Sequence, residues 1–310
     1  MLRTILVPLD GSRFGEHALP LAITLARKSK ARIHLVHSHQ RLDSPYAEMM
    51  VFDSTLDDQV RGHELAYLDA TVKRIKQNYA GQVTYTIEEG HTVTVIGHQA
   101  AETHADVIVL TTHARGPLAR FWLGSVTDEL IRTSEAPLFL THPLDGEADF
   151  SKDVPLGRWL VPLDGTEHAE HILPDVFKVA DLFQPAFTFL RVLRPVTPMM
   201  IPAAVGGFAP LAEDVILRVE TIQKDVEKDA TAYLDRMAAP LRAKGQTVHT
   251  TVAVDEYPGE AILNRARHDI DVVSLATHGR HGLTRMLLGS IAENVIRGCA
   301  VPVLVHRHNG

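Results

Sequence analysis

Two stretches of the chain, 154 positions apart, repeat one another. Residues 5–20 read ILVPLDGSRFGEHALP, and residues 159–174 read WLVPLDGTEHAEHILP. A second match lies near the end of each half, where residues 111–131 read TTHARGPLARFWLGSVTDELI and residues 276–296 read ATHGRHGLTRMLLGSIAENVI. Two matches in the same order predict a duplicated domain.

The spacing between the matched stretches grows from 154 to 165, so the second copy carries 11 extra residues between its matched ends. We expect them around Pro195–Pro210, which is rich in Pro and Gly, lacks a helical period and is therefore typical of a loop. This loop can close over a ligand or dock onto a partner, or it can pack inertly on its own domain. The domains are predicted at residues 1–144 and 158–310, with a linker at 145–157.

Each copy alternates short apolar runs with helical patterns. Runs that are apolar throughout favour strands covered on both faces. The predicted strands are Ile5–Val7, Ile33–Val36, Val83–Ile87, Val107–Leu110 and Leu138–Leu140, then Trp159–Val161, Phe187–Leu190, Val248–Val254, Val272–Leu275 and Val301–Val305. The clearest helix spans Leu211–Ala239, and we expect Pro240 to end it. The alternation predicts an α/β fold with two tandem doubly wound parallel sheets of five strands. Such sheets bind ligands beyond the carboxyl ends of the strands, where the strand order reverses.

Composition excludes several classes of protein. Apolar residues make up 45% and charged residues 22% of the 310, which is ordinary for a folded soluble chain. The formal charge of −7 argues against a nucleic-acid partner. No apolar run approaches the ~18 residues of a membrane span. A single cysteine, Cys299, permits no internal disulfide, so a cytoplasmic location is expected.

A glycine-containing loop follows the fourth strand of the second copy. It begins with Gly279, Arg280 and Gly282, and Gly289 and Ser290 then open a helix expected at residues 291–297. Backbone amides at glycines and at a helix N-terminus can bind phosphate oxygens. Ser290 is placed to cap the helix or to donate its hydroxyl to a phosphate. The alternative is that the glycines only allow a tight turn.

An aspartate follows the first strand of each copy. Asp10 and Asp164 come directly after VPL, at the carboxyl end of a predicted central strand that Pro8 or Pro162 terminates. Their carboxylates can accept hydrogen bonds from a ribose hydroxyl or an adenine amine, or they can cap the next helix or shape the turn. Together with the glycine loop, they favour a nucleotide that bridges two strand ends.

VPLDGS, the strand-terminal THG and the later LLGS resemble the universal stress protein family in its tandem two-domain form, over almost the whole chain. The family's nucleotide motif, G-x2-G-x9-G-[S/T], falls on Ala276, Gly279, Gly289 and Ser290, so only the first glycine departs. The resemblance implies an adenine nucleotide alpha hydrolase-like fold and dimerisation. It also implies ATP, with or without Mg²⁺, held without an efficient hydrolytic apparatus.

By that resemblance, Asp164 contacts adenine or ribose, and Val192 lies against the adenine. The full set of implied nucleotide-binding residues is Pro162, Asp164, Val192, Ala276, His278, Gly279, Arg280, Gly282, Gly289 and Ser290. In the first copy the motif falls on Thr111, Ala114, Gly124 and Ser125, so both early glycines are missing. A weaker site with Asp10, Gly124 and Ser125, or no site, is therefore expected there.

Catalytic and metal-binding residues are not assigned. The sequence lacks G-x-x-x-x-G-K-[S/T], G-x-S-x-G and G-x-G-x-x-G. His37 and His39, like His306 and His308, stand two positions apart, so a metal site is conceivable, but a dispersed surface distribution of histidines is favoured.

The sequence thus predicts a cytoplasmic ATP-binding stress protein that acts as a sensor or adaptor. The alternatives are a nucleotide-free interaction scaffold and a slow ATPase. The last strand of each copy is a predicted sheet edge, so the two halves are expected to pair within the chain as a pseudo-dimer. Association of two chains as a homodimer is left open.

Overall fold

The computed structural model describes residues 2–40, 54–112, 123–197, 213–279 and 289–309. Most of the Pro195–Pro210 insert and most of the predicted phosphate loop, including Arg280 and Gly282, lie outside the described residues. The described strands are β1 (Thr4–Pro8), β2 (Arg32–His39), β3 (Val83–Glu89), β4 (Val107–Thr111), β5 (Leu138–Thr141), β6 (Arg158–Pro162), β7 (Ala186–Leu193), β8 (Val248–Val254), β9 (Val272–Gly279) and β10 (Val303–Asn309).

The described helices connect these strands. They are α1 (Leu19–Ser29), α2 (Ser54–Lys76), α3 (Thr92–Glu102), α4 (Ser125–Thr133), α5 (Glu167–Glu170), α6 (Leu173–Ala180), α7 (Glu213–Ala243), α8 (Pro258–Ala266) and α9 (Ser290–Gly298), with a 3₁₀ turn at Gly15–Ala18. Among the described residues, none of these helices has both the length and the apolar character needed to cross a bilayer.

Each half forms the predicted parallel sheet of five strands. The strand order is β3-β2-β1-β4-β5 in the first half and β8-β7-β6-β9-β10 in the second. The order reverses between β1 and β4 and between β6 and β9, so the doubly wound fold is confirmed and two equivalent switch points exist.

The two sheets join through their last strands. β5 and β10 pair antiparallel, with Phe139 opposite Leu304, and the result is one continuous ten-stranded sheet. The predicted sheet edges therefore pair within the chain, and β3 and β8 lie at the ends of the sheet. Because the joint is antiparallel, the carboxyl ends of the strands point in opposite directions in the two halves.

Aromatic packing continues across this joint. Trp159 of β6 is fully buried, and its ring centroid lies 6.1 Å from that of Phe139 in β5 and 6.4 Å from that of Phe187 in β7, both in edge-to-face geometry. The indole N–H of Trp159 donates to the carbonyl of Leu156 at 2.9 Å. A single apolar cluster thus contains residues of both halves.

Polar contacts also link the halves. The ammonium of Lys178 on α6 lies 2.6 Å from the carboxylate of Asp106, which also accepts from the backbone N–H groups of Arg3 and Thr4. His306 of β10 lies 2.5 Å from Asp175 of its own half and 3.1 Å from the carbonyl oxygen of Glu135 in the other.

One predicted helix end is wrong. Pro240 lies inside α7, which continues to Ala243. The proline ring removes one N–H donor, but the next residue, Leu241, is buried in the core. Burial of Leu241 favours one further helical turn over termination at the proline.

Candidate functional site

The second half contains a cavity of about 310 Å³ at the carboxyl ends of β6, β7 and β9, which is the switch point of its sheet. Six of the predicted nucleotide-binding residues line this cavity: Pro162, Asp164, Val192, Ala276, Gly289 and Ser290. Pro258, Ile262 and Leu275 add apolar surface to its wall. His278 and Gly279 are the last two residues of β9 rather than part of a loop after the strand, and their side chains lie outside the description.

Asp164 shapes the turn after β6. Its Oδ1 accepts from the backbone N–H of Thr166 at 3.0 Å and from the Thr166 hydroxyl at 2.6 Å. The Thr166 hydroxyl oxygen in turn accepts from the N–H of Ala169 and caps α5. Asp10 makes the same pair of contacts with Ser12 in the first half. The turn-forming role of both aspartates is therefore present, and both also line cavities.

Helix α9 points its N-terminus at the second cavity. Gly289, with φ −56° and ψ 139°, occupies the N-cap position, and Ser290 is the first helical residue. Of the two roles considered for Ser290, capping of α9 is therefore excluded, because the extended backbone that a cap requires falls one residue earlier, at Gly289. No side chain caps this end of α9, and Gly124 stands at the same position before α4. A helix N-terminus of this kind favours an anion.

Arg191 of β7 lies beside the turn that follows β6, and it is not among the described residues that line the cavity. Its guanidinium carbon lies 5.2 Å from the centre of the Tyr233 ring, and its Nη2 lies 2.9 Å from where a Cβ on Gly165 would stand. The Tyr233 hydroxyl donates to Glu170 at 2.9 Å. Burial, together with this hydrogen bond, raises the pKa of Tyr233. Because side chains alternate along a strand and the neighbouring Val192 lines the cavity, Arg191 lies on the other face of the sheet, against α7.

The first half has a cavity of about 510 Å³ at the equivalent switch point. Its lining includes the three residues predicted for a weaker site, Asp10, Gly124 and Ser125. His37 and Glu64, which sequence reasoning did not place at a site, line it as well.

His37 and His39 are buried rather than dispersed on the surface, so that expectation is wrong for this pair. Nδ1 of His37 donates to the carbonyl of Leu9 at 2.7 Å, and its Nε2 lies 3.3 Å from Glu64. His39 lies 2.8 Å from Glu64 and 3.1 Å from Asp57. Burial alone would lower the pKa of His39, but its hydrogen bonds to the two carboxylates outweigh burial and raise it.

The partners of these histidines come from α2, far away in sequence, so spacing along β2 could not reveal them. Within the described part of the chain, no group of three or more His, Cys, Asp and Glu side chains is arranged to hold a metal ion.

Sequence comparison links both halves of the chain to one protein family. The universal stress protein family model matches the chain twice, over residues 1–142 and 156–307. The universal stress protein Rv2005c of Mycobacterium tuberculosis is 26% identical over 205 residues, or 66% of this chain and 63% of that protein. The alignment thus spans less than two thirds of the length of this relative.

A shorter protein and a solved structure of the same family also resemble the chain. The universal stress protein YxiE of Bacillus subtilis is 26% identical over 151 residues, which are 48% of this chain and 98% of that protein. The crystal structure of a universal stress protein from Archaeoglobus fulgidus shares the fold with a TM-score of 0.71 at 17% identity, covering 99% of this chain and 98% of that one. The chain therefore belongs to the universal stress protein family, and each of its halves matches that family on its own.

Proposed function

We propose that the second half binds ATP or a related adenine nucleotide, and that the protein acts in the cytoplasm as a stress-linked sensor or adaptor. The observation that carries the proposal is the cavity at the β6–β9 switch point, where Asp164 and the N-terminus of α9 line one space. A carboxylate that accepts from ribose hydroxyls and a helix end that favours phosphate are the two polar elements an adenine nucleotide needs.

The lining of the second cavity supports a specific orientation of this ligand. The base lies against the apolar side chains of Val192, Pro258 and Ile262, which come from β7 and α8. The ribose lies near Asp164, and the phosphates lie toward Gly289 and Ser290. This arrangement binds a nucleotide, and the sequence carries no P-loop lysine motif that would favour hydrolysis.

Charge placed at the start of α9 tests the proposal. Ser290→Glu introduces an acid in the first turn, where it favours the helix but repels a phosphate. Two unit charges about 6 Å apart repel by roughly 3 kcal/mol at an effective dielectric constant of ~20, so we expect ATP affinity to fall at least tenfold after salt screening. The matched control is Ser125→Glu, at the same position of α4, which should leave ATP affinity unchanged.

Isothermal titration calorimetry with ATP gives the affinities, and mass spectrometry of the nucleotide released from purified protein identifies the ligand. Equal ATP affinity in Ser290→Glu and the wild type would show that α9 does not bind the phosphates. A protein that neither carries nor binds nucleotide would instead be an interaction scaffold.

A further inference from the structure

The long helix that follows the second strand is held on the sheet differently in the two halves. The tetrapeptide AYLD occurs in both α2 and α7, and it aligns Glu64 of α2 with Ala230 of α7. Strand register aligns His39 of β2 with Leu193 of β7, because each stands three residues beyond the partner of the last residue of the first strand. A histidine and a carboxylate therefore occupy the positions that carry Leu and Ala in the second half.

The N-terminal half of α2 contacts the rest of the protein through one narrow face. Within residues 56–66, three residues are partly buried and the rest are exposed; the three are Asp57, Val60 and Glu64. Their spacing of three and four places them on one side of the helix. The C-terminal half of α2 is anchored differently, by the buried side chains of Leu68 and Ile75. Charged contacts therefore dominate the attachment of the N-terminal half.

Four residues form a histidine–carboxylate cluster: His37 and His39 of β2 with Asp57 and Glu64 of α2. Nδ1 of His39 lies 2.8 Å from Glu64 and its Nε2 lies 3.1 Å from Asp57. Ionised carboxylates only accept hydrogen bonds and a neutral imidazole carries one N–H, so only the imidazolium form satisfies both contacts. Nδ1 of His37 donates to the carbonyl of Leu9, and its Nε2 faces Glu64 at 3.3 Å. Both rings thus lie between two acceptors, and protonation completes the docking of α2.

Burial makes the loss of this proton costly for the docked helix. The side chain of His39 is 1% exposed and that of Glu64 is 15% exposed. A neutral ring at His39 leaves two partly buried carboxylates without a cationic partner, and such groups are stable only when they regain water. Burial alone would lower the pKa of His39, but its hydrogen bonds to Glu64 and Asp57 outweigh burial and raise this pKa. Docked α2 therefore holds the proton to a higher pH than an exposed histidine does.

The charged groups on neighbouring elements also favour the protonated cluster. Asp10, after β1, lines the same cavity as Glu64. Glu89 of β3 stands opposite His39 in the strand register and on the same side of the sheet. The Tyr67 hydroxyl stays neutral because burial raises its pKa. The other described charged or titratable residues of the N-terminal half of α2 are exposed, and they are Asp58, Arg61 and His63.

We propose that the histidine–carboxylate cluster is a pH-dependent switch, which holds the N-terminal half of α2 on β2 when protonated and releases it as pH rises. His37 and Glu64 also line the cavity of the first half, so release of α2 opens one wall of that cavity. The aligned part of α7, with Leu193 and Ala230 in place of the ionic contact, stays docked over the same pH range.

Hydrogen–deuterium exchange of the full chain at pH 6 and pH 9 tests the switch, with protection factors corrected for the intrinsic pH dependence of amide exchange. We expect the protection of residues 56–66 to fall roughly tenfold or more at pH 9, because local opening follows the lost proton. Residues 222–232 of α7, the aligned segment, are the internal control, and their protection should change by less than about twofold.

A variant with the residues of the second half at three cluster positions is the matched control. His39→Leu, Asp57→Gln and Glu64→Ala together should make the protection of α2 equal at both pH values. The single change His39→Gln removes the doubly bonded ring with less repacking and should abolish most of the pH dependence. His306→Gln removes a histidine at the joint between the halves and should leave the pH dependence of α2 intact. Thermal melting at pH 6 confirms that each variant is folded.

The proposal is wrong if residues 56–66 are equally protected at both pH values in the wild type, or if α7 loses protection to the same extent. It is also wrong if the pH dependence survives unchanged in either cluster variant, or if His306→Gln abolishes it. None of these measurements involves a nucleotide, so the outcome is independent of the function proposed for the second cavity.

Discussion

Phe139→Ala tests whether the two halves unfold as one unit. Phe139 belongs to the first half, is fully buried and packs edge-to-face on Trp159 of the second half. Truncation of a buried Phe costs about 3–5 kcal/mol. Of this, about 0.5–1.5 kcal/mol is the aromatic pair itself. Because the lost contact crosses the joint, we expect both halves to lose stability together.

Differential scanning calorimetry and hydrogen exchange measure this effect. A loss of 3–5 kcal/mol lowers the melting temperature of a chain of this size by about 5–8 °C. Amide protons of β3 and β8, the two end strands of the sheet, should lose equal protection. A double-mutant cycle with Trp159→Ala should give a coupling energy of about 1 kcal/mol.

Two separate melting transitions, of which Phe139→Ala moves only the one belonging to the first half, would refute the idea of a shared core. A coupling energy near zero would show that the contact between Phe139 and Trp159 adds nothing to the pairing of β5 with β10.

Two further predictions concern pH and a close backbone approach. Burial alone would lower the pKa of His306, but its hydrogen bond to Asp175 outweighs burial and raises this pKa. The protonated His306 therefore stabilises the folded protein below pH ~6.5, and this stabilisation is lost as pH rises through the folded-state pKa. In urea denaturation, the free energy of unfolding of the His306→Gln variant should change less between pH 6 and pH 9 than that of the wild type. An unchanged difference between the two pH values would assign the pH dependence to another group. Gly165→Ala and Gly11→Ala should destabilise the protein by similar amounts, because both glycines have positive φ (+85° and +80°) and the guanidinium near Gly165 is the mobile end of the Arg191 side chain, which can give way to a methyl group. A clearly larger loss for Gly165→Ala in urea denaturation would show that Arg191 cannot move aside.

The strands were predictable because their signal is local. The strands inside the sheet contain apolar runs that the sequence shows directly, since a strand covered on both faces must be apolar. The end strands β3 and β8 differ, because they mix polar and apolar residues and are only partly buried. The end of α7 was not predictable in this way. The proline at position 240 is a local signal, whereas burial of Leu241, which extends the helix, is a tertiary effect.

The residues of the two cavities were likewise predictable only where their signal is local. Asp164 and Gly289 were found because the repeated motifs place them at strand and helix ends. Glu64 and Asp57 were missed because only the packing of α2 on β2 brings them to the histidines. Nothing in the spacing of a helix and a strand reveals which of their side chains will meet.

The antiparallel joint between β5 and β10 has an evolutionary consequence. In an assembly of two identical chains, any mutation in the gene alters both pockets at once. Here each cavity is encoded separately, so a residue such as His37 in the first half or Val192 in the second affects one cavity only. A substitution can therefore change the lining of one cavity while the lining of the other stays the same.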